Sequence, residues 1–128
     1  MAQGQWCLRV TGEFSSSHQL RHYEGKCENM HGHNFSVEVD VSGQELDPKL
    51  GILIDFKELK RLLKLVTKEL DHKHLNDLPE FTQHNPSSEL LARYIYKRMH
   101  SLLATYPVQL KQVMVSEKAS SKAYYSEG

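Results

Sequence analysis

The chain has 128 residues, 39% of them hydrophobic, and its sixteen basic and sixteen acidic side chains cancel. That is enough for one compact domain over residues 1–128 and too little for two cores. A balanced charge without long runs of one sign argues against a nucleic-acid groove or an anionic membrane as the main partner. No segment has the length of a membrane span, and Met1-Ala2-Gln3-Gly4-Gln5-Trp6-Cys7 lacks the basic patch and apolar run of a secretory signal. A cytoplasmic protein is expected, with Cys7 and Cys27 as reduced thiols.

Taken in order, Trp6, Leu8, Val10 and Phe14 alternate with Arg9, Thr11 and Glu13, which predicts a first half-buried strand from about Gln5 to Ser15. His18 falls on the apolar register if that strand continues. Gln19 to Lys26 has no period and reads as a loop. It leads to Cys27-Glu28-Asn29-Met30-His31-Gly32-His33-Asn34-Phe35, after which Phe35, Val37, Val39 and Val41 alternate with polar residues as a second strand ending near Ser42-Gly43. A turn through Asp47-Pro48 and Gly51 and a short apolar run, Ile52-Leu53-Ile54, precede Asp55-Phe56-Lys57-Glu58, which has the form of a capping box. From there Phe56, Leu59, Leu62, Leu63, Val66 and Leu70 make the apolar stripe of a first helix, stopping at Asp71-His72-Lys73-His74. Asn85-Pro86 offers a cap and a first helical position for a second helix marked by Leu90, Leu91, Tyr94, Ile95, Met99, Leu102 and Leu103. Val113, Val115 and Glu117 share a face of a third strand, and Ala123 with Tyr125 suggests a short fourth. The order ββααββ implies an α+β domain, a four-stranded antiparallel sheet with both helices on one face. Its edges look unguarded, so association between copies is expected.

The chemistry concentrates around His31-Gly32-His33. Residues two apart on a strand project to one face about 7 Å apart, so both imidazoles can reach one metal ion. His18 offers a third nitrogen, and three imidazoles with an open position suit a catalytic zinc. Cys27 reads in three ways: as a fourth ligand that closes the site, as a thiolate base activated by the nearby cation, or as an inert buried thiol. Asp71-His72 has the form of a carboxylate-oriented imidazole, although a histidine in a last helical turn also suits the helix dipole, and His74 is an equal candidate by spacing. Glu117 is either a partnered acid at the end of an apolar strand face or a solvated turn residue beside Lys118.

In this order, Phe14-Ser15-Ser16-Ser17-His18, Cys27-x-x-x-His31-Gly32-His33, Ile54-Asp55-Phe56, Leu70-Asp71-His72, Asn85-Pro86-Ser87-Ser88-Glu89 and Val115-Ser116-Glu117 resemble the 6-pyruvoyltetrahydropterin synthase family. The short Cys-x-x-x-His gap is most similar to its bacterial branch of 6-carboxy-5,6,7,8-tetrahydropterin synthases. The resemblance implies a tunnelling fold whose sheets join into a barrel, commonly in a homohexamer. It also implies zinc on His18, His31 and His33, Cys27 as base, Asp71 and His72 as proton relay, and Glu117 as the pterin anchor, with Ser87 and Ser88 as further pterin contacts. The implied substrate is 7,8-dihydroneopterin triphosphate, cleaved to 6-carboxytetrahydropterin with loss of acetaldehyde and triphosphate on the route to queuosine and other deazapurines. Glu28 beside the cysteine leaves open a product change toward 6-hydroxymethyl-7,8-dihydropterin, and a pyruvoyl product is the other enzymatic alternative. A non-catalytic zinc-binding or pterin-binding module, with Cys27 closing the site, is the reading from a different class.

Overall fold

The computed structural model describes residues 4–22 and 31–128, and of His31 the backbone alone. Four strands, β1 (Trp6–His18), β2 (His31–Gly43), β3 (Gln109–Lys118) and β4 (Ser121–Tyr125), form one antiparallel sheet in the order β1-β2-β3-β4. Two helices, α1 (Phe56–Leu70) and α2 (Ser88–Leu102), lie between β2 and β3 in sequence. The first packs against β1, the second against β3 and β4, and the two touch each other. This is the expected ββααββ arrangement. Neither helix is long and apolar enough to cross a membrane.

The alternating pattern becomes a register. Val10 pairs with Val39 and Phe14 with Phe35, while Val37 pairs with Val115 and Val39 with Val113, so all these side chains fall on the helix-covered face and are buried. The rings of Phe14 and Phe35 stack with centroids 4.8 Å apart. Against them α1 lays Leu59, Leu62, Leu63, Val66 and Leu70, and α2 lays Leu91, Ile95 and Met99. Each such side chain taken from water contributes roughly 1.5–3 kcal/mol, so this interdigitated layer is what holds the helices to the sheet. Gly12 lets α1 come close to β1: a Cβ there would stand 3.1 Å from Leu63 Cδ2.

Several local expectations are corrected. Phe56 does not join the stripe of α1; it is the first helical residue and 52% exposed, because the stripe turns away from the core by that point. The capping box is half formed. Asp55 caps Lys57 N–H at 2.8 Å, but Glu58 turns outward to Arg61 and to the Tyr106 hydroxyl instead of reaching back. Asn85 does not cap α2; Ser87 does, its hydroxyl accepting from Leu90 N–H. Asn85 is used elsewhere, accepting from Arg21 N–H and donating to Arg21 C=O. β1 runs on to His18, past the expected end at Ser15.

The last residues of β1 are also guarded, contrary to the expectation of open edges throughout. His72 N–H donates to Ser15 C=O at 2.6 Å and Ser17 N–H to Lys73 C=O at 3.0 Å, and Ser17 forms a parallel bridge with His74. The Asp71 carboxylate accepts from Ser15 N–H at 2.8 Å, and the Ser16 hydroxyl donates to Leu70 C=O. The chain leaving α1 is thereby stapled along the end of β1.

Candidate active site

The far end of the core face carries the chemistry. His18 closes β1, His33 lies on β2 two residues before Phe35, and Glu117 lies near the end of β3. The register that stacks Phe14 on Phe35 also brings these three together. His18 Nε2 is 2.9 Å from Glu117 Oε1 and His33 Nε2 is 3.2 Å from Glu117 Oε2. One ligand atom from each of the three lies within 4.8 Å of the others. Phe35 forms the floor, with its ring centroid 5.2 Å from that of His18 and 6.2 Å from that of His33, edge-on in each case.

His18 is buried, 1% exposed, and its Nδ1 sits 2.8 Å from the carbonyl oxygen of Pro86. A carbonyl can only accept, so Nδ1 carries the hydrogen and Nε2 turns a lone pair toward Glu117. Two lone pairs facing each other at 2.9 Å require a proton or a metal cation between them. A carbonyl behind one nitrogen, with the other nitrogen turned into the cluster, is also how metal-bound histidines are usually oriented. The donor set of two imidazoles and a carboxylate suits zinc and other divalent transition ions. These residues therefore fit a metal.

The other expected site residues distribute as follows. His31 stands opposite His18 in the strand register, which puts its backbone at the cluster. Cys27 and Glu28 lie outside the described residues. Asp71 caps the C-terminal end of α1, and its second oxygen is 2.9 Å from His72 Nδ1, so the carboxylate-oriented imidazole is formed. The Ser15 N–H bond, with smaller help from His72, holds the Asp71 carboxyl below the usual carboxylate range. His74, the rival by spacing, is engaged differently, with Nδ1 2.9 Å from the Ser17 hydroxyl. Ser87 is spent on capping α2, and Ser88 begins that helix. The Pro86 carbonyl and the staple of residues 71–74 on β1 have no signal in the sequence, since each joins a backbone group to a residue more than fifty positions away.

The family model described as 6-pyruvoyl tetrahydropterin synthase matches residues 7–128. The chain belongs to the 6-pyruvoyl tetrahydropterin synthase family. Within it, the chain is 36% identical over 124 residues to the 6-carboxy-5,6,7,8-tetrahydropterin synthase of Synechocystis, covering 94% of this chain and 92% of that protein. It is also 36% identical over 104 residues to the dihydroneopterin monophosphate aldolase of Pyrococcus furiosus, covering 81% and 82%. Among solved structures, the 6-pyruvoyl tetrahydropterin synthase of Caenorhabditis elegans superposes with a TM-score of 0.86 at 27% identity, covering 100% of this chain and 99% of that one. The sheet and helices described above are thus the tunnelling fold of the pterin synthases.

Proposed function

We propose that this chain is a zinc-dependent 6-carboxy-5,6,7,8-tetrahydropterin synthase. It would convert 7,8-dihydroneopterin triphosphate to 6-carboxytetrahydropterin, with loss of acetaldehyde and triphosphate, as a cytoplasmic step toward queuosine and other deazapurines. The observation that carries the reading is the facing of His18 Nε2 and Glu117 at 2.9 Å with His33 beside them, an arrangement that takes a proton or a metal cation between the facing atoms. Similarity to the Synechocystis enzyme supports the choice of product.

His18, His31 and His33 are the proposed zinc ligands. When bound there, zinc supplies Lewis acidity toward the side-chain hydroxyls of the substrate, which makes the neighbouring carbon acid easier to deprotonate. Cys27 is the proposed base, in keeping with a thiol four residues before His31. Asp71 holds the His72 ring by Nδ1, leaving Nε2 to take or return a proton. Glu117 is the proposed pterin anchor. A carboxylate matches the paired N–H groups of an aminopyrimidine edge in a two-pronged fork, and Glu117 reaches the cluster with both oxygens, 2.9 Å from His18 Nε2 and 3.2 Å from His33 Nε2. Ser88, at the start of α2, is a proposed further pterin contact, whereas Ser87 would contribute through the helix it caps. A homohexamer with sheets joined into barrels is the proposed assembly, supported by the stretch of β1 before Ser15, which stands at the sheet edge.

Equal identity to the Pyrococcus aldolase favours one second reading, in which the same site cleaves the side chain to 6-hydroxymethyl-7,8-dihydropterin, with Glu28 as an added base. Incubating the purified protein with 7,8-dihydroneopterin triphosphate and identifying products by mass decides. Acetaldehyde with 6-carboxytetrahydropterin is expected. A hydroxymethyl or pyruvoyl product replaces the reading, and no product together with a sulfur bound to the metal would make the protein a binding module.

A further inference from the structure

Glu117 stands where two demands meet. Both of its oxygens are turned to imidazole nitrogens, Oε1 at 2.9 Å from His18 Nε2 and Oε2 at 3.2 Å from His33 Nε2. Two donors that share one zinc ion at about 2.0–2.1 Å each stand roughly 3.3 Å apart in a tetrahedral set, so these separations are close to those of neighbouring ligands. The planes of the two imidazoles are 86° apart, so the carboxylate serves two directions at once. A pterin edge asks for something else: both oxygens presented in one plane to a pair of N–H groups.

We propose that Glu117 is an exchangeable metal ligand: in the resting protein its carboxylate closes the coordination begun by the histidines, and on arrival of a pterin ring it leaves the metal to hold the aminopyrimidine edge. The proposal rests on the reading of the preceding subsection for the pterin and for the metal. Recognition of the ring by Glu117 then opens the coordination position that the side-chain hydroxyls of the same ligand need. A polyol without the ring meets a closed site, and a ring without hydroxyls opens a position that it cannot fill. Through this one carboxylate, specificity depends on both ends of the substrate at once.

The strand is built to let this side chain turn while its neighbours stay fixed. Ser116 is the last residue of β3 paired with β2, opposite Ser36, and on the other side β3 and β4 shift register between Val115 and Lys118. Glu117 thus belongs to no ladder pair among the described residues and sits in an irregularity of the kind that re-aims a side chain beside a site. Ser116, by contrast, is buried, and its hydroxyl is within hydrogen-bond reach of the Lys118 and Ser121 carbonyls, which pins the chain on both sides of Glu117. His18 is equally fixed, buried and held at Nδ1 by the Pro86 carbonyl, so the histidine stays in place when the carboxylate moves. The Glu117 side chain keeps 23% of its surface exposed, which gives an incoming ring access to it.

The test uses the intact protein loaded with zinc or cobalt(II), and as probe pterin itself, the bicyclic ring without a side chain. The visible bands of cobalt(II) report the number and kind of its ligands. Pterin brings no hydroxyl of its own, so a change of those bands on its binding to the unmodified protein is expected to come from departure of Glu117, and Glu117→Gln should show none. Chelator competition should find zinc held roughly tenfold more weakly by Glu117→Gln, with far-UV circular dichroism unchanged. By linkage, the zinc-free protein should bind pterin roughly tenfold more tightly than the zinc-loaded one, the same factor by which pterin weakens zinc. For 7,8-dihydroneopterin, whose hydroxyls fill the opened position, zinc should not oppose binding. Pterin that binds with equal affinity with and without zinc, or that leaves the cobalt bands unchanged, overturns the exchange while the enzymatic reading stands. Zinc affinity of Glu117→Gln within a factor of two of the unmodified protein overturns Glu117 as a ligand and leaves a shared proton between the facing atoms. If the unmodified protein binds no pterin at all, the exchange and the enzymatic reading fall together.

Discussion

The Nδ1 of His18 lies 2.8 Å from the carbonyl oxygen of Pro86, a residue 68 positions further along the chain. That contact decides which imidazole nitrogen faces Glu117. His33, half-buried and on the opposite strand, completes the arrangement. His33→Ala is therefore expected to lower zinc affinity by roughly a hundredfold or more, since even outer partners of metal ligands cost 10–100-fold. Chelator competition on the purified variant measures it, with far-UV circular dichroism unchanged. Undiminished zinc affinity would remove His33 from the ligand set.

His72 adopts φ 56°, a left-handed conformation that a residue with a Cβ reaches at a cost, while its side chain is 83% exposed and is held, among the described residues, by Asp71. His72→Gly should stabilise the protein by up to about 1 kcal/mol in urea unfolding while depressing turnover by roughly a hundredfold, the usual worth of a proton-transfer group. Stability retained at the expense of nothing in activity would show that the imidazole does not serve the reaction.

Phe35 is fully buried, stacks on Phe14 and stands edge-on to both His18 and His33. Phe35→Leu should cost about 2 kcal/mol of stability through lost contacts and a partial cavity. Because the same ring is the floor of the cluster, zinc should also dissociate faster. Thermal unfolding and zinc release, measured on one preparation, separate the two effects.

On the opposite face of the sheet, Arg9 clasps Asp40 with two hydrogen bonds of 2.7 and 2.9 Å, and Gln112 adds a third of 2.9 Å. The Arg9 bond, followed by Gln112 and partly offset by burial, lowers the Asp40 carboxyl from its ordinary value of 3.8. A carboxyl depressed in the folded state adds stability that is fully present above the unfolded value and is lost as pH falls through the folded one. Asp40→Asn should thus cost about 1–2 kcal/mol at neutral pH, a loss moderated because Arg9 is half exposed and can return to water. The gap between the two proteins should close as the medium is acidified below the ordinary aspartate range. A gap that stays constant into strong acid would mean that the carboxylate charge contributes nothing.

Much of the fold was readable because its signals are local. Val37, Val39 and Val41 alternate with Glu38 and Asp40, and Leu59, Leu62, Leu63 and Val66 recur at helical spacing. Each pattern specifies an element through neighbours a few residues away. The errors also came from local rules with near-equivalent answers. Asn85 and Ser87 are both good caps, and Ser87 prevails because Asn85 is drawn to the backbone of Arg21, a contact no spacing rule contains. Phe56 fits the stripe by count but sits where the helix has left the core.

The sequence by itself determined the kinds of atoms available for chemistry, the alternating strand that carries His33, and the adjacency of Asp71 and His72, with their pairing left open beside His74. The tertiary structure alone decided that Glu117 meets His18 and His33, that the Pro86 carbonyl orients His18, and that Lys73 and His74 lie along β1. The physical reason is the range of the interactions. Periodic burial acts between residues close in the chain, whereas strand register and backbone hydrogen bonding join residues that only the packed sheet brings within a few ångströms.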